Sequence, residues 1–254
     1  MKTNQQKYEA LIDCFETTCR KWNHAYSTNN IKFVFNNDLQ GKEIDAIEYI
    51  FLGDNPGETE LRHNQYLVNE PSKLNNSGTI AKCIFDKICL SQKYIVLNKT
   101  PIFSKKTSDL RELDRKILDK SLRYMAILMY KIQMLKPTIK IYIFGFGDGC
   151  FSPDGYHKSG TLSAFFEKMK ILYKGKDDSI HPRIMKHFSY RSFFNSFKYC
   201  KNKNRVWLSK KCKNIKKHRK RLRQKDLSNK NFPIDQLKTC IDKLPYRQML
   251  WIGE

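Results

Sequence analysis

Three short apolar runs, residues 47–52, 94–97 and 139–144, limit what this chain can become. Each is too short for a buried helix and is dominated by Ile, Leu, Val and aromatic residues, as in a strand covered on both faces. Each stops abruptly: at Gly53-Asp54-Asn55-Pro56-Gly57, at Asn98, and at Gly145-Phe146-Gly147-Asp148-Gly149. Around them apolar residues return at three- and four-residue steps, predicting helices over 5–26, 78–89, 110–135, 161–173 and 192–199. Lys136-Pro137 stops the third of these. Residues 31–35 and 183–185 read as further short strands, and 58–76 as a polar loop. The alternation predicts an α/β fold, a central mainly parallel sheet flanked by helices on both faces. Asp54, Asn55, Asn98 and His187 then fall at one rim, where ligands sit in open α/β sheets. Taken alone, Asn-Pro-Gly reads first as the dihedral requirement of a turn.

The 254 residues carry a net charge of +23, which points to a polyanionic partner. No apolar stretch is long enough for a bilayer, so nucleic acid is expected and membrane is not. The charge is concentrated: 14 of the 30 residues from 201 to 230 are Lys or Arg, and only Asp226 is acidic. Lys216, Lys217, Arg219, Lys220 and Arg221 form its densest part, suited to following phosphates. The expected division is an α/β domain over 1–200 and a basic C-terminal extension over 201–254, helical and packed on or beside the core. The N-terminus has no signal-peptide pattern, so a cytoplasmic location and reduced thiols are expected. Eight cysteines without Cys-x-x-Cys spacing give no zinc or iron–sulfur pattern. Neither metal nor cofactor is expected.

The order of motifs resembles the uracil-DNA glycosylase superfamily over residues 45–200. Gly53-Asp54-Asn55-Pro56-Gly57 resembles its first motif, and Glu58-Thr59-Glu60 is similar to the continuation in compact bacterial branches. Asn98 matches the asparagine that reads the pyrimidine edge. Leu135-Lys136-Pro137, an apolar strand and Gly145 resemble a further family segment. His187-Phe188-Ser189 matches the histidine-proline-serine motif, with Phe188 replacing proline. The resemblance implies a monofunctional DNA glycosylase that hydrolyses the N-glycosidic bond of a flipped-out pyrimidine and leaves an abasic site. It implies Tyr66 as the aromatic stacked on the base, Gly53 in the base pocket, and Ser189, Tyr190 and Arg191 against DNA, with a wedge in the vacated stack.

The chemistry accords with those residue types. Breaking the bond leaves positive charge on the sugar and negative charge on the base. His187 offers an N–H to the base oxyanion. Asn55 can orient water, whereas Asp54 is the stronger base, and the sequence leaves open which of them does so. The Asn98 amide pairs with a uracil edge and, flipped, with a cytosine-like one. The loops at 58–76 and 146–160 suggest a roomier pocket for a hypermodified base, such as the glucosylated hydroxymethylcytosine of phage DNA. Repair and antiviral defence are both open. The partner is double- or single-stranded DNA, with no obligate protein partner. The competing readings are a nucleic-acid-binding protein without catalysis and an RNA-associated basic protein.

Overall fold

The structure, a computed structural model, describes residues 2–66, 93–145, 151–152, 155–156, 160–185 and 247–248. The first helix, α1 (Asn4–Ala25), opens with a reciprocal cap: Thr3 accepts from the Gln6 N–H while the Gln6 side chain accepts from the Thr3 N–H. Its buried stripe is Tyr8, Ile12, Phe15, Cys19 and Trp22, as the periodicity requires. Strand β1 (Tyr49–Gly53) leads to a short helix, α2 (Glu58–His63). Next come β2 (Tyr94–Asn98), the long helix α3 (Arg115–Leu135) and β3 (Lys140–Phe144). A two-residue antiparallel pair, β4 (Phe151–Ser152) and β5 (Gly155–Tyr156), precedes α4 (Ser163–Tyr173). Strands β6 (Arg183–Met185) and β7 (Arg247–Gln248) complete the described elements.

The main sheet runs β2-β1-β3-β6-β7, parallel except that β7 is antiparallel to β6. It is an α/β fold. The chain steps from β1 to β2 on one side and then crosses to β3 on the other, so strand order reverses around β1. The register aligns Gly53 with Asn98, Leu52 with Ile143, and Phe144 with Met185, so four strands end along one rim.

Pleating sorts the strand residues by type. Ile50, Leu52, Ile95, Leu97, Ile141 and Ile143 join the main core with Phe15, Leu122, Met129, Phe165 and Met169. Tyr49, Phe51, Tyr94, Tyr142 and Phe144 alternate with them to form an aromatic face. Phe51 lies 5.4–6.0 Å, ring to ring, from the other four. Phe51, Val96, Tyr142 and Phe144 are also buried, which explains why the strands read as continuous apolar runs.

Three local readings differ. Residues 31–35 make one antiparallel bridge, Phe33 to Ile102, and no strand. Val34 N–H donates to the Pro101 carbonyl, but proline has no N–H to return and the ladder stops there. The expected loop at 58–76 begins instead with α2. Glu60 there accepts from the Gly57 N–H at 2.6 Å, and Asn64 ends the helix in the left-handed region at φ 47°. Helix α3 starts at Arg115, after a 3-10 turn over Thr107–Glu112, because Asp114 caps it by accepting from the Lys116 N–H. The expected helices at 78–89 and 192–199 lie outside the described residues, as does most of 201–254. The exception there is β7, which adds an edge strand to the sheet. Among the described residues no helix is long and apolar enough to cross a membrane.

Candidate functional site at the carboxyl rim of the sheet

Strands β1 and β2 end side by side, and their last residues are in contact. A Cβ added to Gly53 would lie 2.5 Å from Asn98 Oδ1, so the amide occupies the space that a side chain would need. Asn98 is 4% exposed, and its Nδ2 is buried without a hydrogen-bond partner among the described residues. A buried donor of this kind costs free energy unless something answers it. Asn98 and Gly53, both expected in base binding, are therefore brought together, with the Asn98 oxygen against Gly53.

The next residue was not anticipated. Lys99 is fully buried, and its ammonium donates to Asp54 Oδ1 at 2.5 Å and to the Phe144 carbonyl at 2.8 Å. The Gly53 carbonyl lies 3.5 Å away, and the Phe166 ring of α4 is centred 6.0 Å away. One side chain thus joins the ends of β1, β2 and β3 in the crevice where strand order reverses, the usual place for a ligand in such sheets. A buried ammonium is tolerated only when paired and hydrogen-bonded, and Asp54 supplies that charge. Asp54 therefore has one oxygen fixed on Lys99, with its side chain 15% exposed. The sequence held one signal, a lysine directly after the polar residue that ends an apolar strand, but nothing in it pairs positions 54 and 99.

Asn55 is held within its own loop system. Its Nδ2 donates to the Pro56 carbonyl at 3.1 Å and the Ser104 carbonyl at 3.0 Å, and its Oδ1 accepts from Thr107 Oγ1 at 2.9 Å. Ser104 N–H returns a bond to the Pro56 carbonyl at 3.1 Å. The two loops after β1 and β2 are thereby sewn together. One lone pair on Asn55 Oδ1 is left over by this arrangement.

Tyr66 is 1% exposed, with its hydroxyl donating to the Val34 carbonyl at 2.7 Å and its N–H donating to Asn36 Oδ1 at 3.1 Å. Burial first, then the Cys19 and Glu60 charges, holds that hydroxyl well above the usual tyrosine value, so it stays protonated. Asn36 is buried too and donates to the Val96 carbonyl at 2.9 Å, which fastens this segment to β2.

Of the remaining predicted site residues, His187, Ser189, Tyr190, Arg191, Lys216, Lys217, Arg219, Lys220 and Arg221 lie outside the described residues. The register nevertheless places the end of β6, Met185, beside Phe144 on the rim, two residues before His187. His181 precedes β6, toward the opposite end of the sheet. No group of metal-ligating side chains occurs among the described residues, where Cys14 and Cys19 are free thiols. Comparison with protein-family models, curated proteins and solved structures finds no match to this chain.

Proposed function

We propose that this protein is a monofunctional DNA glycosylase acting on a flipped-out, non-canonical pyrimidine, on a uracil-DNA glycosylase-like sheet with helices on both faces. The observation that carries the reading is the buried Asn98 amide, whose nitrogen has no partner among the described residues. A donor left unanswered in the free protein fits a ligand carbonyl such as uracil O4. Asn98 would hold the base while its neighbour Gly53 leaves room for the amide. His187, two residues beyond the end of β6, would donate to the base oxygen on which negative charge develops. Water would add to the sugar carbon as the glycosidic bond breaks and its electron pair leaves with the base. The water would lose a proton to solvent, and the departing base would gain one. Asn55 has one acceptor lone pair left for that water, and Asp54 brings a carboxylate whose other oxygen is held by Lys99. Ser189, Tyr190, Arg191 and the 216–221 cluster would contact the flipped nucleotide and its duplex, inside the cell and without a cofactor. Tyr66, buried against Val34 and Asn36, is not in place to stack on the base.

The test is base release from uracil-containing, mismatched and phage-modified duplexes by the full chain. Release from at least one, abolished in Asn98→Ala, Asn55→Ala and His187→Ala while salt-dependent binding persists, is the expected result. A specific observation favours one second reading, nucleic-acid binding without catalysis: both ends of the Asn55 amide are already engaged inside its own loops. Binding with no release from any substrate would establish it.

A further inference from the structure

Helices α1 and α3 lie side by side and antiparallel. Asn4 Nδ2 donates to the Leu135 carbonyl at one end, and the Trp22 ring meets Tyr124 at 5.3 Å toward the other. At that second end lies an open groove of about 500 Å³ lined by Trp22, Lys116, Lys120, Arg123, Tyr124 and Ile127, together with the paired Arg115 and Asp119. Arg115 is neutralised: it pairs with Asp119 at 2.8 Å and donates to Ser163 Oγ at 2.7 Å and the Thr161 carbonyl at 3.2 Å. Lys116, Lys120 and Arg123 are exposed and have no acidic partner among the described residues. Their spacing puts them on one helix face over about 10 Å. The floor between them is apolar and recessed: Trp22 is 8% exposed, Tyr124 and Ile127 are half-buried, and the Lys120 ammonium lies 5.9 Å from the Trp22 ring centre.

The chain connects the groove to the candidate site. Thr107, which donates to Asn55, belongs to the segment that runs into the first turn of α3. Exposed Lys105 and Lys106 stand at the start of that path. A cationic wall over an aromatic and aliphatic floor suits a single nucleic-acid strand, whose phosphates meet the cations while a base covers the floor. A duplex has no base face to offer, and an acidic peptide leaves the ring floor unmatched.

We infer that this groove is a second nucleic-acid site, which takes the single-stranded DNA leading away from the rim. The inference rests on the nucleic-acid reading above but not on base release. The test uses the full chain with Trp207→Phe and Trp251→Phe, so that Trp22 is the one fluorophore of its kind. Oligodeoxythymidylate is titrated over a series of salt concentrations. Lys116→Gln/Lys120→Gln/Arg123→Gln should lower the slope of log affinity against log salt by about 2, at roughly 0.7 per contact to single strands, and abolish the Trp22 emission change. The control, Lys7→Gln/Lys140→Gln/Lys174→Gln, removes the same charge from exposed positions away from the groove and should change neither. An unchanged slope and emission in the groove variant would overturn the inference. So would an equal loss in the control, or an equal Trp22 response to polyglutamate or to duplex. Binding in the groove by a chain that releases no base would sink the glycosylase reading and leave this one standing.

Discussion

Two buried side-chain amides sit at opposite ends of the sheet. At the amino end, Gln133 is 1% exposed and fully answered. Its Nε2 donates to the Ile139 and Ile180 carbonyls at 2.9 and 2.8 Å, and its Oε1 accepts from the Tyr173 hydroxyl at 2.5 Å. At the carboxyl rim, Asn98 is almost as buried and its nitrogen has no partner among the described residues. The first amide joins α3, β3, α4 and the approach to β6, and its role is complete within the fold. The second is complete only with something added. Charge is distributed in the same way: the buried ammonium of Lys99 is at the rim, whereas at the amino end Lys136 reaches the Asp45 and Ile47 carbonyls from a half-buried position. The amide at the amino end serves the fold alone, and the amide at the rim keeps a donor for a ligand.

The most severe way to break this contrast is Lys99→Met. It leaves Asp54 without its counter-ion under the rim and should cost about 3–5 kcal/mol in urea denaturation, most of it recovered when Asp54→Asn is added. A loss below about 1 kcal/mol would mean that the pair behaves as an exposed one. Next in size is Gln133→Leu, which strands two carbonyls and a tyrosine hydroxyl. About 3 kcal/mol should be lost with base release unchanged. The contrast sharpens at Asn98→Leu, where no existing bond to Nδ2 is broken. Stability should stay within about 1 kcal/mol of the parent, while base release falls about a hundredfold or more. Gly53→Ala should resemble it, because the new Cβ displaces the Asn98 amide. The smallest effect belongs to Asp177 at the amino end. The Ser179 hydroxyl and N–H both hold its carboxyl below the usual aspartate value. Its contribution is therefore present above the ordinary aspartate range and lost as pH falls through the depressed value. Asp177→Asn should slightly lower Tm at neutral pH and leave it unchanged below the depressed value, which flattens the acid side of a Tm-against-pH curve.

What the sequence disclosed followed periodicity. The three strands appear within two residues of the expected runs, because burial on both faces forces uninterrupted apolar segments. The stripe of α1 appears because a 22-residue helix repeats its pattern often enough to be read. Helix α2, with six residues, offers no period, and only the Glu60 cap marks it. The strand expected at 31–35 failed on its partner, since nothing in its own residues reveals that Pro101 will face it. The site divides similarly. Gly53 and Asn98 were legible because each ends an apolar run, and register then made them neighbours. Lys99 was not, since its meaning depends on Asp54 and on the Phe144 carbonyl, groups brought together only by folding. For the same reason, the ties from Asn55 to Ser104 and Thr107 were unreadable.

The place of β1 between two later strands has a temporal consequence. Its first neighbour, β2, begins 45 residues after it, and its second, β3, about twice as far along the chain. Pairings so distant must overcome loop-closure entropy before they return any contact energy, and they form slowly. During synthesis β1 therefore emerges with both hydrogen-bonding edges open, and the Phe144 carbonyl that Lys99 requires is among the last parts of the crevice to arrive. Until then Lys99 stays hydrated, since burying it early would incur its desolvation with an acceptor missing. The rim is thus a late product of chain assembly, and the nascent protein has its helices before it has its site.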